Sequence, residues 1–112
     1  MTIATNKTLL SAVLLTSVCF SGQALALDGK ALYNNPAKGG CIACHGKDAK
    51  TPMAALNAPK LAGQGEKYLL QQMKDIKSGA RNNGNTAAMK GVMGMINEAE
   101  MAAVAKYLSG LK

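Results

Sequence analysis

Apolar and polar positions along the 112-residue chain separate into helical patterns punctuated by glycine and proline. The first is short, Leu27 to Asn34, with Leu27, Ala31 and Leu32 or Tyr33 at helical spacing before the stop Asn34-Asn35-Pro36. A second runs from Glu66 to Ser78 and ends at Gly79. There Leu69, Met73 and Ile76, with Tyr68 and Leu70, form one apolar stripe opposite Gln71, Lys74, Asp75 and Lys77. The third has the clearest ends: Asn97 caps it with Glu100 three residues on, Met101, Val104, Ala105 and Leu108 make the inner face, and Gly110 follows as the C-terminal cap. No stretch alternates like a strand, so the pattern predicts a single all-α domain with about three main helices. Gly46 to Gly65 and Gly79 to Asn97 are predicted to be irregular. Two such long loops in so small a chain make sense if they wrap something.

Ahead of these patterns stands a different kind of segment. Residues 1–26 carry one charge, Lys7, then the run Leu9 to Leu15 and Val18-Cys19-Phe20, and close on Ala24-Leu25-Ala26. This reads as a secretory signal peptide cleaved after Ala26, because a short apolar core before a small-x-small site suits export better than a membrane span. Residues 27–112 remain as the mature domain, in the periplasm. Cleavage removes Cys19 and leaves Cys41 and Cys44 as the cysteines of an oxidising compartment.

Composition adds a shortage. The chain has no Trp and one Phe, which lies in the leader, so Tyr33, Tyr68 and Tyr107 are the mature aromatics. A small domain with few bulky side chains needs a staple or a non-protein group in its core. The formal net charge is +7, from 13 Lys and Arg against 6 Asp and Glu. That is basic, but no basic stripe with interleaved aromatics marks a nucleic-acid surface.

The chemistry concentrates in Cys41-Ile42-Ala43-Cys44-His45. Structural zinc needs four ligands, and the mature chain has no further Cys or His to complete them. A thioredoxin-type redox pair expects a strand-rich fold, and a plain disulfide leaves His45 without a purpose. Covalent haem attachment accounts for all three residues. Two thiols one helical turn apart reach two vinyl groups of one porphyrin, and the next residue places an imidazole under the iron. His45 fills one axial position, and a neutral methionine thioether is the candidate for the other, favouring ferrous iron. Met73 and Met101 sit on apolar helix stripes, and Met53 is close to His45 in sequence. Met89, Met93 and Met95 lie where the chain can cross the opposite face, and position alone does not separate them.

Residues from Gly29 to Leu108 resemble a class I c-type cytochrome, in particular one half of the dihaem cytochromes of the bacterial periplasm and related small monohaem proteins. The resemblance is carried by Cys41 to Gly46, by Pro59-Lys60-Leu61-Ala62-Gly63-Gln64-Gly65-Glu66-Lys67-Tyr68-Leu69-Leu70-Gln71-Gln72, by Met89-Lys90-Gly91 and by the helix from Asn97 to Leu108. It implies a cytochrome c fold around one covalent haem c, with Cys41 and Cys44 as thioethers, His45 as proximal ligand and Met89 as distal ligand, Met93 being the rival. It also implies that the Pro59 carbonyl accepts the Nδ1 proton of His45, and that Gly29 and Tyr33 mark a close crossing with the last helix at Tyr107 and Leu108.

With both axial positions taken by protein, the chain is expected to move single electrons rather than catalyse a reaction. The leading expectation is a diffusible periplasmic carrier. The alternative is a haem subunit held by an enzyme, such as the flavoprotein of a flavocytochrome c sulfide dehydrogenase; a five-coordinate ligand sensor is a third class. Lys38, Lys47, Lys50, Lys60 and Lys90 flank the cofactor segments and make a positive face for acidic docking partners.

Overall fold

A computed structural model of the chain describes residues 26–112. The expected leader therefore lies outside the described residues, apart from Ala26. Five helices follow in order: α1 (Gly29–Asn34), α2 (Cys41–His45), α3 (Glu66–Ser78), α4 (Thr86–Met93) and α5 (Glu98–Ser109). Short 3₁₀ turns at Pro36–Lys38 and Ala54–Leu56 shape the connections, and there is no strand among the described residues. No helix among them is long and apolar enough to cross a membrane.

α3 and α5 fall where their stripes place them. At the start of α5 the Asn97 side chain accepts from the Glu100 amide at 2.8 Å while its own amide group donates to Glu100 Oε1 at 3.1 Å, a reciprocal cap. Gly79 ends α3 in the left-handed region at φ +88°, whereas Gly110 closes α5 while still right-handed. α1 begins at Gly29, two residues later than its apolar pattern suggested, because the Asp28 carboxylate caps the Ala31 amide at 3.1 Å and leaves Leu27 outside and exposed.

The segment expected to be irregular before α5 contains a helix. α4 arises from Ala87, Ala88, Met89 and Lys90, all good helix formers. Its apolar residues Met89, Val92 and Met93, continued by Ile96, recur at helical spacing. Gly91 and the preceding Asn-Gly run obscured that period in the sequence.

α5 packs on both α1 and α3, and α3 also meets α4. The core these contacts enclose is built around Tyr33, Met93 and Met101, the largest fully buried side chains. Each such side chain contributes ~1.5–3 kcal/mol on burial. The α1–α5 crossing is close enough that a Cβ on Gly29 would run into the Ala103 carbonyl, so only glycine fits there. Beside it the Tyr33 and Tyr107 rings pack at 5.9 Å between centroids. The expected crossing of first and last helices is present, at the residues the resemblance marked.

Candidate cofactor site on an apolar cavity

α2 is barely more than one turn long and carries all three residues of the Cys-x-x-Cys-His segment. Cys41 and Cys44 sit three apart and Cys41 and His45 four apart, so the turn places them on one side. Both cysteines are free thiols, and Cys41 is buried. Burial, the largest effect, pushes the Cys41 thiol above its usual range.

Beyond α2 the backbone is held on several sides. Gly46, at φ +85°, donates its amide to the Ile42 carbonyl, and a Cβ there would meet the Thr51 carbonyl. The Met53 amide donates to the Cys44 carbonyl at 2.8 Å. Ala49, fully buried, takes a positive φ of 55°, a conformation that costs a non-glycine residue some strain. Its amide donates to the Gly46 carbonyl, and its carbonyl accepts from the Leu61 and Ala62 amides. Ala49 thereby ties the segment after His45 to the loop that carries Pro59.

The consequence appears at the imidazole. His45 is buried, and its Nδ1 lies 3.0 Å from the Pro59 carbonyl oxygen. A carbonyl only accepts, so Nδ1 carries the proton and donates, which leaves the Nε2 lone pair free. Burial lowers the proton affinity of His45, and the bond to Pro59 acts against it to a smaller extent. The ring is therefore a neutral imidazole, oriented by a backbone acceptor, the form in which histidine binds a metal.

Cys41, Cys44 and His45 line one wall of a cavity of about 410 Å³. Its lining is mainly apolar, and Met89 and Met93 of α4 and Met73 of α3 line it too. Met93 is fully buried, while Met89 is half-buried and packs against the edge of the core. Met95 and Met53 are about half exposed, at 54% and 49%, and neither lines the cavity. The structure thus brings together the two thiols, the imidazole and two of the three loop methionines, and leaves Met95 aside. This donor set fits an iron porphyrin: two thiols and a neutral imidazole on one turn, neutral thioethers elsewhere in the lining, and an apolar space shared by all of them. The bracing role of Ala49 carried no signal in the sequence, since an alanine does not mark a positive φ.

Of the five lysines read as a positive face, Lys38 is already engaged. Its Nζ lies 2.9 Å from Glu100 Oε1, joining the approach to α2 to the start of α5. Lys47, Lys50, Lys60 and Lys90 are exposed.

Comparison with known proteins agrees with this geometry. The family described as Cytochrome c matches residues 26–112. The chain is 41% identical over 107 residues to a protein named Cytochrome c4 from Pseudomonas aeruginosa, covering 96% of this chain and 49% of that one. It is 38% identical over 99 residues to a thiosulfate dehydrogenase electron acceptor from Stutzerimonas stutzeri, covering 85% and 44%. Similarity to Cytochrome c-554(548) from Halomonas halodenitrificans is 35% over 71 residues, 63% of this chain and 83% of that one. The chain therefore spans about half the length of the first two relatives, as its resemblance to one half of a dihaem protein leads one to expect. With a family match over the whole described region and a cavity whose thiols and imidazole suit covalent haem c, this chain belongs to the cytochrome c family.

Proposed function

We propose that the chain is a periplasmic one-electron carrier holding one haem c, joined through Cys41 and Cys44 and ligated by His45 and Met89. The observation that carries the proposal is the neutral His45 ring, fixed by Pro59, beside two free thiols on the wall of an apolar cavity. When bound, the haem supplies an iron that cycles between ferric and ferrous states. The polypeptide does the rest. The bond from Nδ1 to Pro59 orients the imidazole and strengthens it as a donor, and the apolar lining excludes water from the iron. A neutral thioether favours the ferrous state and so raises the potential.

Met89 is favoured over Met93 on packing grounds. Met93 is fully buried and already part of the core, whereas Met89 lines the cavity without being enclosed. Lys47, Lys50, Lys60 and Lys90 offer exposed positive charge to an acidic redox partner. A relative bears the name of an electron acceptor for thiosulfate dehydrogenase. A similar place downstream of a periplasmic dehydrogenase is proposed for this chain.

The test is a redox titration of the exported protein followed by stopped-flow reduction by an acidic partner protein at increasing salt. A reversible one-electron wave, and a reduction rate that falls as salt rises, support the proposal. A reduced protein that binds carbon monoxide at once without treatment defeats axial ligation by methionine. Elution as a lasting complex with a flavin spectrum defeats the free carrier.

A further inference from the structure

Tyr33 is the one tyrosine that is fully buried, and it also lines the cavity. Its hydroxyl donates to the Gly46 carbonyl at 2.6 Å, a short bond across thirteen residues of chain. Burial pushes the phenol above its usual range, so it remains a donor at every pH the protein meets. The acceptor is the carbonyl of the residue immediately after His45, and it also receives the Ala49 amide at 3.2 Å. Ala49 in turn accepts from Leu61 and Ala62, two and three residues past Pro59. One hydroxyl on α1 thus joins, at the Gly46 carbonyl, a run of hydrogen bonds that leads from the residue after His45 to the loop just past its Pro59 acceptor.

We infer that Tyr33 is a positioning residue for the proximal imidazole, acting through the Gly46 carbonyl to keep His45 Nδ1 on Pro59. The inference rests on the proposed ligation by His45 and adds to it a link between the α1–α5 crossing and the electron-donating strength of the ligand. A packing role alone would be met equally by phenylalanine, because the fully buried ring already packs, tilted, against Tyr107. The hydroxyl adds direction. Without it the Gly46 carbonyl keeps only the longer bond from Ala49, and the turn carrying His45 can shift against the Pro59 loop. A weaker bond at Nδ1 makes the imidazole a poorer donor, which destabilises the ferric state more than the ferrous.

The experiment compares Tyr33→Phe with the wild type and with Tyr107→Phe, in exported protein whose mass carries haem. Three quantities are read: solvent exchange of the His45 Nδ1 proton by NMR, the reduction potential, and the thermal midpoint. In Tyr33→Phe the proton is expected to exchange faster, by up to about tenfold for the loss of one hydrogen bond, and the potential to rise. Tyr107→Phe is expected to leave both unchanged. If Tyr33→Phe lowers the thermal midpoint but leaves exchange and potential at wild-type values, the hydroxyl is only a packing contact and the inference fails. Protein that folds without haem in the wild type would sink the proposed function instead, so the two failures are told apart.

Discussion

The two sides of the cavity are built by different means. On the His45 side directional bonds tie the backbone near the ligand: Gly46 to Ile42, Met53 to Cys44, Ala49 to Gly46, Leu61 and Ala62 to Ala49, and Tyr33 to Gly46. On the Met89 side α4 is held by apolar packing, with few bonds to the rest of the molecule. Asn85 to the Leu56 carbonyl at 3.0 Å is one of them. Directional bonds fix a single geometry, whereas packing fixes occupancy and tolerates exchange of similar volumes. The first side suits a ring whose orientation sets its donor strength, and the second suits a flexible thioether that approaches from a helix face.

The sharpest way to break this contrast is Gly46→Ala. The substitution forces alanine to φ +85° with its Cβ against the Thr51 carbonyl, and strain and overpacking together should cost about 2–6 kcal/mol. Denaturant unfolding measures it. A cost below 1 kcal/mol would mean that this side is as forgiving as the other.

The methionines come next. Met93→Ala empties a fully buried site and is expected to cost ~2–5 kcal/mol. Met89→Ala, from a half-buried site, should cost less packing but abolish the weak ferric absorption at the red end of the visible that marks methionine ligation. Unfolding curves and optical spectra of both variants together sort ligand from core. The reverse pairing of effects would exchange their roles.

Lys38→Ala should cost about 1–3 kcal/mol, because it leaves the buried Glu100 carboxylate, whose Oε2 already lacks a hydrogen-bond partner, with Asn97 as its remaining contact. Adding Glu100→Gln should return part of that loss, and the double-mutant cycle measures the coupling.

The smallest expected effect concerns acid. Asp48 accepts from the Lys50 amide at 2.8 Å and the Thr51 amide at 3.0 Å, which holds its carboxyl below the usual aspartate range. Its folded pKa is depressed, so its contribution is present above the ordinary aspartate pKa and is lost as pH falls through the lower folded value. Asp48→Asn should therefore lower stability modestly at neutral pH, where the carboxylate contributes, and flatten the acid limb of a stability-against-pH curve so that the two proteins converge at low pH.

Much of this architecture was legible in the residues. The stripes of α3 and α5 and the Asn97–Glu100 cap are local patterns, and each formed where the pattern ends. α4 was hidden because Gly91 and the Asn-Gly run carry the same signals as a loop, although Met89, Val92, Met93 and Ile96 kept a helical period. The segment Cys41 to His45 declared its chemistry through spacing, but Pro59 entered only through resemblance, since a carbonyl acceptor belongs to the backbone and any residue could supply it. Tyr33 to Gly46 and the hub at Ala49 were beyond reach for a related reason. They depend on tertiary approach and on a positive φ at a residue that rarely adopts one. The engagement of Lys38 by Glu100 was equally invisible across sixty-two positions of sequence.

The most direct test of the central claim is the intact mass of the protein recovered from the periplasm, combined with alkylation of its thiols. The account predicts a chain beginning at Leu27, heavier by one haem, with Cys41 and Cys44 inert to alkylation. A folded, colourless protein whose two thiols take up the reagent, or prove to be bonded to each other, would contradict it.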